Sequence, residues 1–174
     1  MPKDFSGLNE SIAHLRGEHK AAPLDVGELN PDPFEQFARW LEDALTAGAH
    51  LPNAMVLATS DESRRPSARV VLLKSFDHDG FVFYTNYASR KGKELTANPR
   101  AAGVFYWDEL ERQVCIGGGV ERVKAGEADE YFASRPLGSK LGAWASRQSE
   151  VIDSRDVLDQ RLEDAAERWP NDDI

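Results

Sequence analysis

The sequence predicts an α+β domain, mainly β with helices, whose antiparallel sheet curls into a small barrel. Three observations carry this expectation. Five short apolar runs lie between residues 54 and 123, turn-forming residues separate successive runs at hairpin length, and a strong helix start precedes the first of them.

Residues 1–31 are polar, contain Gly and Pro, and show no sustained periodicity, which predicts a mobile arm with one short helix near 11–19. Asp32-Pro33-Phe34-Glu35 then combines a capping carboxylate, a proline at the first helical position and an acid three residues after the cap. The apolar stripe Phe34, Phe37, Leu41, Ala44 and Leu45 extends this helix to Gly48. Apolar runs follow at 54–59, 67–74, 81–86, 101–107 and 112–123, each read as a strand. Asp61-Glu62-Ser63 and Asp77-His78-Asp79-Gly80 join the first three as hairpins, and closure of the sheet removes its exposed edges. Gly117-Gly118-Gly119 inside the fifth run fits a bulge or a bend at a barrel corner. Helices are expected at 89–97, opened by Ser89, at 125–134, stopped by Arg135-Pro136, and at 154–169. The last of these places Val157, Leu158, Leu162, Ala165, Ala166 and Trp169 on one face. Residues 32–174 are therefore read as one domain behind the arm.

Composition narrows the function. The chain has 174 residues, enough for a core without disulfides, and its single cysteine, Cys115, excludes an internal disulfide framework and a cysteine-cluster zinc site. The opening MPKDFSGLNE lacks the apolar stretch of a signal peptide and no apolar run is long enough to span a bilayer, so a cytoplasmic protein is expected. A net charge of −9 disfavours nucleic acid and acidic membrane surfaces as partners. Locally the balance reverses: residues 64–100 carry eight basic and three acidic side chains, a net +5 against −14 for the rest. A confined basic region in an acidic protein suits a small anion such as a phosphate ester, although scattered solvated charges would give the same count.

No Gly-x-Ser-x-Gly elbow, His-Glu-x-x-His pair, Walker A loop or dinucleotide fingerprint occurs. His14, His19, His50 and His78 fall in arm, loop or turn, and no metal site is expected. Any redox or group chemistry therefore falls to an organic cofactor. The informative constellation is Arg69-Val70-Val71-Leu72-Leu73-Lys74 followed by Tyr84-Thr85-Asn86-Tyr87-Ala88-Ser89-Arg90-Lys91. Its second segment enters a helix N-terminus, where unbonded N–H groups and the helix dipole attract an anion. Basic residues in that first turn oppose the dipole, which favours a ligand-binding role over a purely structural one. Arg69 and Lys74, five apart, point to opposite faces of a strand unless a bulge intervenes. Tyr131, Arg135 and Ser139, spaced by four, form a second anion-binding pattern; a core tyrosine and a helix-capping arginine would fit the same spacing.

The segments IAHLRGE (12–18), RVVLLK (69–74), FYTNYASRKGKEL (83–95), ERQVCIGG (111–118) and YFASRPLGSKLGAWASRQS (131–149) together resemble the pyridoxamine 5'-phosphate oxidase family. The similarity runs from residue 12 to 169, and several motifs in one order make it far more specific than any one alone. The resemblance implies a split β-barrel homodimer with FMN held in clefts between subunits. It implies flavin contacts at Arg69, Val70, Val71, Leu72, Leu73, Lys74, Tyr84, Thr85, Arg90, Lys91, Gln113, Gln148 and Ser149. Substrate-phosphate contacts fall on Lys74, Tyr131, Arg135 and Ser139. A further arm site would match Arg16 to His19, where the family commonly has Tyr in place of His19. Family members continue into strands with a Trp-Gly-Gly segment and an Arg-x-His motif, which the chain up to Ile174 does not include. The implied reaction oxidises pyridoxine 5'-phosphate or pyridoxamine 5'-phosphate to pyridoxal 5'-phosphate, with O2 as acceptor and H2O2 as product. The alternative is a split-barrel protein that binds flavin or pyridoxal 5'-phosphate without efficient turnover.

Overall fold

The computed structural model describes residues 6–15, 23–170 and 174. Its elements run α1 (Ser6–Ala13), α2 (Pro33–Thr46), β1 (Ala54–Ser60), β2 (Pro66–Asp77), β3 (Gly80–Phe83), α3 (Arg90–Ala97), β4 (Arg100–Trp107), β5 (Arg112–Gly119), α4 (Ala125–Ala133), α5 (Leu137–Ala145) and α6 (Arg155–Arg168), with short 3-10 turns at Val26–Glu28 and Asp108–Leu110. The fold is the expected one, a curled antiparallel five-stranded sheet with helices, in the order β3-β2-β1-β4-β5.

Hairpin geometry sets the register. β1 pairs with β2 from Ala54↔Leu72 to Ser60↔Pro66, and with β4 at Val56↔Val104, Leu57↔Gly103 and Ala58↔Ala102. β2 pairs with β3 from Asp77↔Gly80 back to Leu73↔Phe83, with a register shift between Leu73 and Ser75. Lys74 is the extra residue of that bulge. Ser67, Arg69, Val71 and Leu73 face inward before it and Phe76 after it, so the bulge switches the strand's inward parity.

Two compact units emerge: residues up to Ala49 with Trp107–Arg112, and His50–Tyr106 with Gln113–Ile174. In the first, Asp32 caps α2 by accepting from Phe34 N at 2.8 Å and Glu35 N at 3.4 Å. Phe37 lies against Trp107, and Arg112 pairs with Asp43 while its guanidinium covers the Trp40 ring. In the second, Met55, Leu57, Leu73 and Phe105 are buried, and Phe81 bridges Phe76 and Phe105 through ring contacts. The opposite face of the sheet exposes Val56, Val70, Leu72 and Tyr106.

Several expectations need correction. The arm helix forms at Ser6–Ala13, ahead of the expected 11–19, of which residues 16–19 lie outside the described ones. The third strand stops at Phe83 because Asn86 makes a turn, its side-chain oxygen accepting from Ala88 N and its carbonyl from Ser89. The fifth strand ends at Gly119, and Gly117–Gly119 adopt no positive φ; the bulge belongs to β2 instead. α4 ends at Ala133, so Arg135 lies beyond it and does not share a helix face with Tyr131. α5 is an element the sequence reading left out, since Pro136, Gly138 and Gly142 all weigh against a helix there. On α6 only Ala165 of the apolar stripe is buried, while Leu162 and Ala166 are exposed.

Removal of the α2 cap tests the first unit. Asp32→Ala should destabilise by about 1 kcal/mol, a fall in Tm of roughly 2–4 °C for a chain of this size, measured by thermal unfolding.

Candidate functional site

The site grows from the inward side of β2 and the first turns of α3. Inward alternation places Ser67 and Arg69 beside Thr59 of β1, and α3 lays Glu94 over all three. Glu94 is 5% exposed, and its Oε2 accepts from Thr59 Oγ1 at 2.5 Å, Ser67 Oγ at 2.6 Å and Arg69 Nη2 at 3.2 Å. Its Oε1 accepts from Arg90 Nε at 2.8 Å. Arg69 Nη1 also donates to Leu57 O at 3.1 Å and Thr59 Oγ1 at 2.6 Å, and its Nη2 to Ser67 Oγ. Burial pushes the Glu94 carboxyl up, but the hydrogen bonds from Ser67, Thr59 and Arg90 outweigh it and hold the pKa at about 2.

Lys91 is a buried cation. Its ammonium donates to Thr85 Oγ1 at 3.0 Å and Gln148 Oε1 at 2.8 Å, tying the strand-to-helix turn and the 146–150 segment to α3. Burial, and then the charge of Arg69, lower its pKa. The turn itself is fixed by Ser89, fully buried, whose hydroxyl donates to Asn86 O at 2.6 Å and accepts from Gly92 N at 3.3 Å. Gly92 is required there: a Cβ would stand 2.4 Å from Tyr87 O. Next to this turn opens a cleft of about 870 Å³ whose walls include Arg65, Arg90, Lys93, Glu94, Gln148 and Ser149.

The β2 bulge builds a second group. Lys74 Nζ lies 5.7 Å from the Tyr131 ring centroid, and Tyr131 stacks on Tyr84 with centroids 3.7 Å apart and planes within 5°. Tyr84 donates to Glu127 Oε1 at 3.2 Å; burial and that carboxylate raise its pKa, so it remains a phenol.

The structure thus joins Arg69 and Arg90 through Glu94, joins Thr85 and Gln148 through Lys91 on the same helix, and groups Lys74, Tyr84 and Tyr131 separately. Ser149 lines the cleft with φ +73°. Val71 is half-buried and Leu73 buried, while Val70 and Leu72 are exposed on the opposite face from Arg69. Gln113 lies on β5 with its amide on Cys115 Sγ, Arg135 covers the Phe132 ring, and Ser139 is exposed in α5; no hydrogen bond among the described residues joins these three to any of those groups. Arg16 and His19 lie outside the described residues. Sequence reasoning missed Thr59, Ser67 and Glu94. Two signals existed: Glu94 is four residues from Arg90 on α3, and Ser67 shares strand parity with Arg69.

This donor set fits a phosphorylated ligand. Buried Lys91 and the exposed Arg90 guanidinium sit at a helix start whose first-turn N–H groups lack intrahelical acceptors, with half-buried Arg69 beside it on β2. No group of His, Cys, Asp or Glu side chains among the described residues could hold a metal ion, and no described helix is long and apolar enough to cross a membrane.

An antiparallel curled sheet with helices and a cation-lined helix start is the architecture of a split-barrel protein. The sequence profile described as pyridoxamine 5'-phosphate oxidase matches residues 41–168. A pyridoxine/pyridoxamine 5'-phosphate oxidase of Nostoc sp. is 53% identical over 167 residues, covering 96% of this chain and 78% of that one. Its counterpart in Rubrobacter xylanophilus is 55% identical over 163 residues, covering 94% and 75%. Among solved structures, PhzG from Burkholderia lata, crystallised with tetrahydrophenazine-1-carboxylic acid, is 30% identical with a TM-score of 0.80, over 86% of this chain and 75% of that one. A pyridoxamine 5'-phosphate oxidase-related, FMN-binding protein from Nostoc punctiforme shares the fold at 16% identity and a TM-score of 0.57, over 76% and 72%. The chain belongs to the pyridoxamine 5'-phosphate oxidase family, a family of oxidoreductases.

The Glu94 network makes stability acid-sensitive. Its carboxyl titrates near 2 in the folded chain against an ordinary 4.5, so its contribution is complete above pH 4.5 and is lost as the pH falls towards 2. Denaturant titrations across that window should show a loss of roughly 2–3 kcal/mol that Glu94→Gln abolishes. Equal acid slopes in the two proteins would refute it.

Proposed function

We propose that the protein is an FMN-dependent oxidase that converts pyridoxine 5'-phosphate or pyridoxamine 5'-phosphate to pyridoxal 5'-phosphate. The observation that carries this reading is the pairing of two cationic networks, one around Arg69 and Lys91 and one around Lys74, in a chain more than half identical to named oxidases of these substrates. Bound FMN would take two electrons from the substrate carbon and pass them to O2, giving H2O2. The alcohol substrate then loses two hydrogens, and the amine substrate additionally takes up water and releases ammonia.

The chain's own residues bind and orient. Arg69, Arg90, Lys91 and the first-turn N–H groups of α3 hold the cofactor phosphate, and Gln148 and Ser149 close over it from the 146–150 segment. Lys74 supplies the charge for the substrate phosphate, with Tyr131, Arg135 and Ser139 completing the anchor. The Tyr84–Tyr131 stack keeps Tyr131 beside Lys74. Each hydrogen bond to a charged group contributes roughly 1.5–3 kcal/mol, which fixes the substrate for hydride transfer without requiring a strong protein base. The apolar sheet face of Val56, Val70, Leu72 and Tyr106 suits a homodimer interface, and residues 32–174 act as one domain behind the arm in the cytoplasm.

The test mixes the purified protein with FMN, removes free flavin and oxygen, and adds pyridoxine 5'-phosphate. Flavin absorbance should bleach and return on admitting air; a bound flavin that stays oxidised supports the alternative of a flavin-binding protein without turnover. Arg135→Ala should raise KM about ten- to a hundredfold with flavin retained, whereas Lys91→Ala should purify depleted of FMN.

A further inference from the structure

Glu94 has a role that the binding residues alone do not explain. An acid in the wall of an anion site opposes the ligand, yet this one is buried and touches three elements: β1 through Thr59, β2 through Ser67 and Arg69, and its own helix through Arg90. We propose that Glu94 is a positioning residue that holds the Arg69 and Arg90 guanidinium groups in place, so that a phosphate monoester meets cations already assembled. This rests on the reading of the site as a phosphate-bearing flavin pocket.

Geometry and charge both support it. Glu94, Ser67, Thr59 and Leu57 O together engage both terminal nitrogens of Arg69, which fixes the plane of a side chain that otherwise has several free torsions. Arg90 is 59% exposed along its side chain, and its bond to Glu94 Oε1 restrains it at the cleft wall. Arg69, Arg90 and Lys91 carry three positive charges; Glu94 leaves two, the match for a phosphate monoester of about −1.5 to −2 at neutral pH. Without the carboxylate, three cations would share one wall before any ligand arrived, and the lowered pKa of Lys91, due to burial and then to the charge of Arg69, shows that Lys91 already feels a neighbouring cation. Positioning lowers the ordering cost of binding because the guanidinium groups are placed before the ligand arrives.

Positioning and simple electrostatics predict opposite signs. By Coulomb's law alone, removing a negative charge from the wall tightens binding of a dianion. Positioning predicts weaker binding, and only for the phosphate end. The experiment measures Kd for FMN and for riboflavin, which lacks the phosphate, by quenching of flavin fluorescence at fixed ionic strength, in the wild-type chain and in Glu94→Gln. The expected result is an FMN Kd raised about tenfold or more with riboflavin binding unchanged, and a smaller rise when Glu94→Gln is added to Arg69→Ala, where only Arg90 is left to position. Tighter or unchanged FMN binding overturns the proposal. So does parallel weakening of both flavins, which a merely structural role would produce. Ser67→Ala, which keeps the carboxylate but removes the hydroxyl shared by Glu94 and Arg69, should raise the FMN Kd by a smaller factor with riboflavin again unmoved. If Glu94→Gln does not fold, this variant decides by the same criterion. A wild-type chain that binds FMN no better than riboflavin would overturn the reading of the pocket itself, and the role of Glu94 with it.

Discussion

The half-buried guanidinium of Arg69 lies 3.2 Å from its counter-charge, the buried Glu94. Its carboxylate accepts from two hydroxyls and two guanidinium groups, so the burial cost is offset by bonds rather than by exposure. The arrangement couples α3 to β1 and β2. β1 and β2 are joined by backbone pairing, but α3 is held over them largely by polar bonds, with Asn98 Nδ2 donating to Ser60 Oγ at 2.8 Å at its far end. Anchored this way, the helix start presents its N–H groups and Lys91 at one place. Gly92 completes the constraint by letting the first turn lie against Tyr87 O.

A one-residue irregularity does comparable work on β2. Were the strand regular, Lys74 would stand on the face opposite Arg69, beside Val70 and Leu72. The bulge releases Lys74 from that alternation and brings its ammonium towards Tyr131. One strand therefore supplies a cation to each of two networks, about five residues of extended backbone, or roughly 17 Å, apart along the chain. That spacing suits two anionic ends better than one, as the proposed phosphorylated cofactor and substrate would require.

The sheet was legible because its signals are local: alternation at 54–60 and 66–77, and turn residues at 61–65 and 77–80, determine pairing without help from distant residues. The α2 cap was legible for the same reason. Cooperative features were not. Nothing in RVVLLK marks the bulge, which depends on how β3 returns after Gly80. Pro136, Gly138 and Gly142 hid α5, whose helicity comes from burial of Leu141 and Ala145 and packing against α6 rather than from propensity. The cations of the site were readable as a local excess of charge, whereas Glu94 counted in the same tally as a charge subtracted. Its meaning appears only when Thr59 and Ser67, 35 and 27 residues away, are placed against it.

Ionisation states restrict what these residues can do. Glu94 titrates near 2, Tyr84 is held in its phenol form above the usual range, and the guanidinium groups of Arg69 and Arg90 do not deprotonate in proteins. Lys91 is the exception, with a pKa drawn downward by burial and by Arg69, and a phosphate dianion beside it would reverse that shift. The site therefore acts by charge and geometry, and a redox step carried out there needs an organic group that brings its own electron chemistry. On the proposed reading, the Arg69–Glu94–Arg90 cluster and Lys91 would hold such a group beside the Lys74–Tyr131 pair, and each bond within the wall removes a freedom that the ligand would otherwise have to restrain.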